Sequence, residues 1–281
     1  MSRLVAARLE TRPLSQALGA EIIGIDLRHK LPKEVYAAII EQWHESLVIL
    51  FRGQELSEDE QIRFAEQFGV GDLSEGHLAG FEQRPGLNLI TNIRRDGNPV
   101  GILPDGEMQF HADQCYLEQP SIGAMLYAIQ VPSRGGNTMF GNMYKAYDAL
   151  AGDVKRRLAG LRARNVYDYN GNPTHRGDVS ADAPTWVHPV VRTHPVTGRK
   201  CLFVNRLMSA RIEGPPEAES AALLEMLFDH IERREFVYEH VWRAGDVLIW
   251  DNRCTVHART DFDPHETRLM RRAKFRREAV Y

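Results

Sequence analysis

The apolar residues of this chain fall mostly in short runs of strand length, and this feature most limits the folds that it can adopt. Residues 47–51 and 247–250 are fully apolar, and residues 123–131 are largely so. Further strand-type segments at 187–191 and 200–205 flank a Pro/Gly turn, while residues 236–242 mix polar and apolar side chains. Many short strands of this kind predict a mainly β, α+β protein built as a sandwich or an open barrel.

Several segments have helical patterns, and we expect these helices to cover the predicted sheets. They lie at residues 31–45, 57 to about 68, 143–161 and 216–233, and residues 57–60 have the spacing of a capping box. Helices and strands do not alternate regularly, which argues against a doubly wound parallel sheet. The sequence contains no P-loop and no G-x-G-x-x-G segment after a strand. No linker divides the chain, and we therefore expect a single domain over residues 1–281.

The composition excludes several classes of protein. Of the 281 residues, 43% are hydrophobic and 26% are charged, which argues against a disordered chain. The net charge is −3, with 35 basic and 38 acidic side chains, so no overall field favours nucleic acid or an anionic membrane as a partner. The three cysteines lack a C-x-x-C spacing and the N-terminus lacks the apolar run of a signal peptide, so we expect a cytoplasmic location.

One His-x-Asp triplet, His111-Ala112-Asp113, stands out among the eleven histidines. On a strand, residues i and i+2 project from the same face, so both side chains could reach one metal ion. The rival pair His230 and Glu232 lies in a helical pattern, where residues i and i+2 diverge. His257, far downstream, would complete a two-histidine, one-carboxylate set that suits Fe(II) and that zinc would also accept. The ligand set alone therefore does not choose between an oxygenase and a hydrolase.

Four further segments follow in order along the chain, at residues 131–138, 188–198, 250–257 and 267–272. With the His-x-Asp triplet, they make the sequence resemble the taurine dioxygenase-like family of Fe(II)/2-oxoglutarate-dependent oxygenases over nearly its whole length. The resemblance implies a double-stranded β-helix (jelly roll) with helical insertions. It also implies that His111, Asp113 and His257 hold Fe(II).

The same resemblance assigns roles to residues outside the metal set. Thr138 and Arg268 match the positions that bind the distal carboxylate of 2-oxoglutarate, and Arg272 matches a position that meets an anionic group of the substrate. A guanidinium is a planar fork for a carboxylate, and a threonine hydroxyl adds another donor. His77 lies roughly where the family has a substrate-contacting histidine.

The implied activity is that of a dioxygenase that uses Fe(II), 2-oxoglutarate and O2. It would hydroxylate a small anionic substrate, a sulfonate or a carboxylate, and release succinate and CO2. Hydroxylation could also lead to cleavage of a C–S, C–O or C–N bond. A zinc-dependent hydrolase and a non-catalytic jelly-roll metal-binding protein are the alternatives, although neither needs a dicarboxylate clamp. The resemblance further implies a homo-oligomer, a dimer or a tetramer.

Several other residues have a functional and a structural interpretation. Tyr167 and Tyr169 could line a pocket, but ordinary packing is the simpler account. His188 and His194 could suggest a second metal pair, and by resemblance they are structural, hydrogen-bonded residues. Cys115 shares the parity of the ligand triplet and could face the metal, or it could fill space in the core.

Two departures from the family pattern and two further segments complete these predictions. Phe110 and Asn137 replace a tryptophan and an aspartate, and Phe110 is expected to border the substrate side. In the basic segment 268–277, the outward Arg271 is expected to form a solvated edge together with Arg276 and Arg277. The Gly/Pro-rich residues 96–106 are expected to form a mobile loop that closes over the substrate.

Overall fold

The short apolar runs form the strands of two facing sheets. The computed structural model describes residues 9–69, 86–103, 106–167 and 182–281. The major sheet has seven strands, which are, in spatial order, β1 (Glu10–Pro13), β2 (Ala20–Ile23), β3 (Val48–Phe51), β16 (Val247–Asp251), β8 (Gly123–Gln130), β18 (Leu269–Lys274) and β4 (Leu87–Thr91). Neighbouring strands are antiparallel except for β2 and β3, which are parallel.

The minor sheet has four strands, in the order β15 (Val237–His240), β9 (Thr138–Asn142), β17 (Thr255–Arg259) and β7 (Met108–His111). Three small sheets extend the structure. They are formed by β11 (Thr185–Pro189), β10 (Arg162–Val166) and β14 (Ser209–Ile212), by β12 (Val191–Thr193) and β13 (Lys200–Leu202), and by β5 (Arg94–Arg95) and β6 (Asn98–Pro99). Two facing antiparallel sheets with helical insertions confirm the predicted jelly-roll architecture.

Five α-helices cover the sheets: α1 (Lys33–Ser46), α2 (Glu58–Ala65), α3 (Met143–Asp148), α4 (Gly152–Leu158) and α5 (Glu217–Ile231). The capping box at the start of α2 is confirmed, because the Ser57 hydroxyl accepts from the Glu60 amide while the Glu60 carboxylate accepts from the Ser57 amide. The single helix predicted over 143–161 is instead two short helices, and Leu150 in the break between them is buried in the core. In the described part of the chain, no helix has the length and apolar character needed to cross a membrane.

The major sheet is buried on both faces, which explains why β16 is apolar throughout. Leu248 and Trp250 point into the core between the two sheets, whereas Val247 and Ile249 point into a second core beneath α1 and α2. This alternation is the period-2 geometry of a strand. The sheet therefore has an inner face, directed at the minor sheet, and an outer face, directed at the helices.

The outward-facing Arg271 is buried, so the predicted solvated edge is wrong for this residue, whereas Arg276 and Arg277 are exposed as expected. Strand β18 lies between β8 and β4 rather than at an edge, and α2 covers its outer face. Arg271 donates from Nε to Gln61 Oε1 at 2.6 Å and from Nη2 to the Leu56 carbonyl at 2.7 Å. The outer face thus holds a hydrogen-bonded cation where strand parity alone suggested solvent.

Candidate active site

A cavity of about 290 Å³ lies between the two sheets and is lined by both. His111, Thr138 and His257 reach it from the minor sheet, and Arg272 reaches it from the inner face of β18. Asp113 and Arg268, which lie just outside strand ends, also line the cavity. All six of these predicted site residues are therefore brought together, whereas His77 lies outside the described residues.

The two imidazoles are placed side by side by strand pairing. His111 is the last residue of β7 and lies opposite His257 in β17, and the ring centroids are 4.0 Å apart. His111 Nδ1 lies 3.0 Å from the Gln109 carbonyl oxygen. Because a carbonyl can only accept, Nδ1 carries the proton and Nε2 keeps a lone pair for another partner. This hydrogen bond fixes the ring in the tautomer that a metal ligand requires.

Asp113 is positioned by hydrogen bonds to its backbone amide and carbonyl rather than by a place on a strand. Strand β7 ends at His111, so the expected i, i+2 pairing on one strand is wrong, and Asp113 lies in the turn that follows. The buried Asn252 accepts from the Asp113 amide at 2.7 Å and donates to its carbonyl at 2.9 Å. Two hydrogen bonds from one amide side chain thereby set the direction of the carboxylate.

The three side chains fit a metal ion. Their candidate ligand atoms all lie within 4.8 Å of one another. Asp113 Oδ2 and His257 Nδ1 are buried and have no hydrogen-bond partner among the described residues. Such unpaired polar atoms are costly in a protein interior unless a ligand satisfies them.

The protonation states of the three side chains suit the same interpretation. Burial lowers the pKa of His111 and lowers that of His257 well below its ordinary value, so both rings are neutral at pH 7. Burial raises the pKa of Asp113, but the nearby positive charges, Arg272 above all, outweigh burial and hold it below its usual range. Two neutral imidazoles and one carboxylate are a ligand set that iron and zinc accept.

A buried arginine marks one end of the cavity. Arg268 is 2% exposed and donates from Nε to the Gly136 carbonyl at 3.2 Å, and its Nη1 has no hydrogen-bond partner within the described ranges. Burial, reinforced by the nearby Arg259, lowers the pKa of Arg268 to about 9. No carboxylate in the described part of the chain pairs with this guanidinium, the arrangement expected of a carboxylate-binding site.

Thr138 and two glycines complete this end of the cavity. The Thr138 hydroxyl accepts from the Trp242 indole N–H at 2.9 Å, which leaves its own proton available to a ligand. Gly135 and Gly136 both have positive φ, and a Cβ on Gly136 would lie 3.3 Å from Arg268 Cδ. A Cβ on Gly135 would lie 2.2 Å from the Asp261 carbonyl oxygen, so the two glycines permit the close approach of the loop to the arginine.

The opposite end of the cavity combines aromatic and cationic side chains. Tyr116 and Tyr167 line it with ring centroids 4.6 Å apart, and Met208 lines it as well. Arg272 Nη1 lies 3.7 Å from Asp113 Oδ1, and Arg272 Nε is buried with no hydrogen-bond partner in the parts of the chain that the structure describes. Lys274 follows two residues later on the same strand.

The histidines that suggested a second metal pair are fully engaged in the protein. His188 Nε2 donates to the Leu117 carbonyl at 2.8 Å. His194 Nδ1 accepts from the amides of Val196 and Thr197, and its Nε2 donates to Asp251. Although His194, Asp251 and Cys254 lie close enough to be a candidate metal cluster, the imidazole has no lone pair left for an ion.

The remaining predicted residues lie away from the cavity or outside the described ranges. Cys115 is 1% exposed, packs against Met208 and is not among the described residues that line the cavity. Burial raises the pKa of the Cys115 thiol to about 12, so the thiol stays protonated and unreactive and the side chain fills space in the core. Phe110 is buried in the inner core and does not border the described cavity, contrary to expectation. Asn137 donates to Glu239 at 2.7 Å, and Tyr169 lies outside the described residues.

The segment expected to form a loop over the substrate contains short regular structure. Its first part belongs to the hairpin β5–β6, and Asp96 and Gly97 form the turn with positive φ. Ile102 and Leu103 line the cavity, whereas residues 104 and 105 lie outside the described ranges. The segment therefore reaches the cavity, as expected of a substrate-side element.

A jelly roll with such a cavity between its sheets has the architecture of a 2-oxoglutarate-dependent oxygenase, and the comparisons with known proteins agree. The family model described as taurine catabolism dioxygenase TauD, TfdA family matches residues 10–274. The alpha-ketoglutarate-dependent 2,4-dichlorophenoxyacetate dioxygenase of Cupriavidus pinatubonensis is 37% identical over 287 residues, which cover 95% of this chain and 98% of that relative. The chain belongs to the TauD, TfdA family and is a 2-oxoglutarate-dependent dioxygenase, which confirms the resemblance found in its motifs.

Solved structures agree with this assignment. A taurine dioxygenase from Burkholderia xenovorans superposes with a TM-score of 0.79 at 30% identity, over 97% of this chain and 96% of that one. The protein AAD-2, solved in complex with Mn(II) and N-oxalylglycine, superposes with a TM-score of 0.81 at 28% identity, over 98% of this chain and all of the other. Both matches span the two sheets and the helical insertions.

Several residues at the site were not predicted from the sequence, among them Asn252, Trp242, Gln114 and Lys274. Asn252 belongs to a motif that was recognised as a whole, but its role in holding Asp113 depends on a contact across 139 residues. Trp242 reaches Thr138 from a separate segment. Gln114 and Lys274 carried a local signal, because Gln114 directly follows the predicted ligand Asp113 and Lys274 shares the parity of Arg272.

Proposed function

We propose that this chain binds Fe(II) through His111, Asp113 and His257 and uses it, with 2-oxoglutarate and O2, to oxidise a small anionic substrate. The neutral imidazoles, the ionised carboxylate and the two unpaired buried atoms support a divalent metal ion at this ligand set. AAD-2 binds Mn(II), another divalent ion that accepts nitrogen and oxygen ligands. Membership in a dioxygenase family disfavours the zinc-hydrolase and binding-protein alternatives.

The observation that carries the proposal is the buried Arg268. Its guanidinium has an unpaired N–H at the end of the same cavity that holds the ligand set. Thr138, beside it, has a hydroxyl proton to donate. A hydrolase needs no such cation, whereas the far carboxylate of 2-oxoglutarate would satisfy it. The ligand in AAD-2, N-oxalylglycine, is likewise a dicarboxylate.

We infer that the substrate lies at the other end of the cavity, with its anionic group toward Arg272. The unpaired Nε of Arg272 and the tyrosine pair support an anionic head and an apolar or aromatic body. Relatives are named for 2,4-dichlorophenoxyacetate and for taurine, a carboxylate and a sulfonate. Both chemistries are compatible with a guanidinium.

In this proposal each side chain has a defined task. Bound Fe(II) would supply the activation of O2, which no side chain can provide. Asn252 and the Gln109 carbonyl hold Asp113 and His111 in position to bind the ion. Arg268 and Thr138 would orient the co-substrate, and Arg272 would hold the target carbon near the metal. The buried walls of the cavity exclude water from the reaction.

An anaerobic titration tests the proposal. The metal-free protein is titrated with Fe(II) and then with 2-oxoglutarate, and the weak visible metal-to-ligand charge-transfer band of the chelate is followed. Arg268→Lys keeps the positive charge but loses the planar fork, so we expect the band to form at about tenfold to a hundredfold higher 2-oxoglutarate concentration. Arg211→Ala removes an exposed arginine on β14 and should leave the titration unchanged.

The same titration can contradict the proposal in two ways. Bound iron without the band would mean that 2-oxoglutarate does not chelate the metal. A band that forms in Arg268→Lys at the wild-type concentration would mean that the carboxylate clamp is assigned to the wrong residue.

A further inference from the structure

The tryptophan that donates to Thr138 lies behind the wall of the cavity. Trp242 is 7% exposed and is not among the described residues that line the cavity. Its indole N–H lies 2.9 Å from the Thr138 hydroxyl oxygen, so it acts on a ligand through that hydroxyl. An indole N–H only donates, whereas a hydroxyl both accepts and donates. The Thr138 oxygen must therefore accept this bond, and the hydroxyl proton must point in another direction.

The hydrogen bond from Trp242 affects both the direction and the strength of the next bond that Thr138 makes. A hydroxyl proton rotates freely unless the partners of its oxygen limit it. With one lone pair occupied by the indole, the proton is left for a group in the cavity, which Thr138 lines. A buried hydroxyl that accepts a hydrogen bond also becomes a better donor, because neighbouring hydrogen bonds polarise one another. The indole thus prepares Thr138 to bind an anion.

The side chain of His240 packs against this indole and limits its movement. His240 lies directly opposite Thr138 on the paired strands β15 and β9, and it is fully buried. Its ring stands at 89° to that of Trp242, with ring centroids 4.5 Å apart. A T-shaped contact of this kind is favourable, and in a close-packed interior it leaves little room for the indole to turn.

Hydrogen bonds fix the orientation of the His240 ring. Its Nε2 lies 3.1 Å from a carboxylate oxygen of Asp246, and because an ionised carboxylate can only accept, Nε2 carries the proton. The other nitrogen, Nδ1, therefore accepts from the Tyr238 hydroxyl at 2.9 Å. Asp246 is also buried, and Arg52 donates from Nη1 to its two oxygens at 2.8 and 3.0 Å. Both nitrogens of the imidazole are thus engaged within the protein.

The carboxylate of Asp246 also fixes the backbone beside the indole. It accepts from the Arg243 amide at 2.9 Å, and the Asp246 amide donates to the Arg243 carbonyl at 3.0 Å. Arg243 directly follows Trp242 in the chain. One buried carboxylate therefore holds both the turn after the tryptophan and the imidazole that packs against its ring.

We propose that Trp242 and His240 are positioning residues for the co-substrate, which fix the Thr138 hydroxyl so that its proton is directed at the far carboxylate of 2-oxoglutarate. The inference rests on the proposed function, since it takes Thr138 and Arg268 as the clamp for that carboxylate. Arg268 supplies the positive charge. The direction of the second donor is set by two side chains that are not among the described residues lining the cavity.

A double-mutant cycle tests whether Trp242 acts through the hydroxyl. Trp242→Phe keeps an aromatic ring and removes the N–H, and Thr138→Val keeps the shape of threonine and removes the hydroxyl. The dissociation constant of 2-oxoglutarate is measured by calorimetry, with Fe(II) and without oxygen, for the wild type, both single variants and the double variant. We expect Trp242→Phe to raise this constant about fivefold to tenfold when Thr138 is present, the effect of one hydrogen bond. In the Thr138→Val background the change should be less than about twofold.

Two further variants separate positioning from a general loss of packing. Trp43→Phe makes the same substitution at a buried indole whose N–H has no hydrogen-bond partner in the described part of the chain. It should leave the dissociation constant within about twofold of the wild type. His240→Leu removes the ring that packs against the indole, and it should raise the constant about threefold, again only when Thr138 is present.

Equal effects of Trp242→Phe in the two backgrounds, or no effect when Thr138 is present, would overturn the proposal. If Trp242→Phe does not fold, nuclear magnetic resonance of the isotope-labelled indole N–H groups replaces it, with Zn(II) in place of Fe(II). Of the four tryptophan resonances, the one that Thr138→Val displaces most belongs to Trp242. It should shift when 2-oxoglutarate binds to the wild type and shift less in Thr138→Val. An equal response in both proteins would also overturn the proposal.

This proposal and the proposed function fail in different ways. If 2-oxoglutarate binds by calorimetry but forms no charge-transfer band, the chelate to Fe(II) is wrong, while the cycle still measures the contribution of Trp242. If the band forms normally and the cycle shows no coupling to Thr138, only the positioning role is wrong. If 2-oxoglutarate does not bind to the wild-type protein, both proposals are wrong.

Discussion

Two clusters of histidine and aspartate lie at opposite ends of the segment 250–257, and they use the same side chains differently. The first cluster, called here the open cluster, comprises His111, Asp113 and His257. The second, the closed cluster, comprises His194, Asp251 and Arg253. Both are buried, and both place an imidazole beside a carboxylate.

The clusters differ in whether their polar atoms have partners within the protein. In the closed cluster Arg253 donates from Nε and Nη2 to the two carboxylate oxygens of Asp251, at 2.8 and 2.7 Å, and His194 adds a third hydrogen bond. In the open cluster Asp113 Oδ2 and His257 Nδ1 have no partner among the described residues. Residue type and burial are thus poor guides to function here, whereas unsatisfied buried atoms separate the proposed metal site from the structural network.

The largest expected effect comes from removing the carboxylate of the open cluster. Asp113→Ala should abolish Fe(II) binding and lower turnover by more than about three orders of magnitude, because a ligand of the metal is lost. The free energy of unfolding of the metal-free protein should fall by about 1 to 2 kcal/mol, because the ion pair with Arg272 at 3.7 Å is lost although no side-chain hydrogen bond is broken. Turnover assays, iron content and urea unfolding measure the three quantities. Turnover near the wild-type level would remove Asp113 from the ligand set.

A substitution in the closed cluster should lower the stability of the protein and leave its affinity for Fe(II) almost unchanged. Asp251→Asn leaves the buried Arg253 and His194 without their negative partner, so we expect a loss of about 3 to 5 kcal/mol in the free energy of unfolding. The affinity for Fe(II), measured at a temperature where the variant is folded, should stay within about twofold of the wild type. A large loss of iron affinity with unchanged stability would break the distinction between the clusters.

The sequence predicted the open cluster well because its residues belong to local motifs. His111 and Asp113 are separated by one residue, and His257 ends a segment that was recognised as a unit. The apolar run at 247–250 likewise predicted a buried strand, since its side chains are apolar on both faces. Features that depend on only a few neighbouring residues could therefore be predicted from the sequence.

Features that depend on the partner across the fold could not be predicted. The parity that placed Arg271 on the outer face of its strand was right, but parity does not reveal that α2 covers that face. Nor does the triplet at 111–113 reveal that Asn252 holds Asp113 beyond the end of the strand. Whether a buried His or Asp is satisfied is a property of such distant contacts, which is why His194 and His257 could not be separated by residue pattern alone.

A smaller effect is expected in the pH dependence of the free energy of unfolding, to which His257 of the open cluster should contribute. Burial, with His111 and Arg272 nearby, lowers the pKa of His257, so the folded metal-free protein resists its protonation. Below the unfolded pKa of about 6.5, the unfolded chain binds this proton and the folded protein does not, so stability falls as the pH falls. We expect His257 to contribute about 1 kcal/mol to the loss between pH 6.5 and 5.5.

Urea unfolding of metal-free wild type and His257→Gln at both pH values measures this contribution. The variant should lose less stability than the wild type over the interval. Arg211→Ala, an exposed substitution, should follow the wild-type curve. Identical pH dependence in His257→Gln and the wild type would mean that the folded protein protonates this ring as readily as the unfolded chain does.

The smallest expected effect concerns backbone strain beside the open cluster. Gln114, which directly follows Asp113, has φ of 58°, a left-handed conformation that costs a non-glycine residue roughly 1 to 2 kcal/mol. Its side chain lines the cavity and is 8% exposed. Gln114→Gly and Gln114→Ala remove the same side-chain contacts, but only glycine relieves the strain. Glycine also gains entropy in the unfolded chain, which offsets part of this relief. We therefore expect the glycine variant to be more stable than the alanine variant by up to about 1 kcal/mol in urea unfolding.

If strain at this position serves to aim Asp113, the glycine variant should also bind Fe(II) more weakly than the alanine variant, since the relaxed turn holds the carboxylate less firmly. Equal stability and equal iron affinity in the two variants would show that the left-handed turn is tolerated by the open cluster and has no part in holding it open.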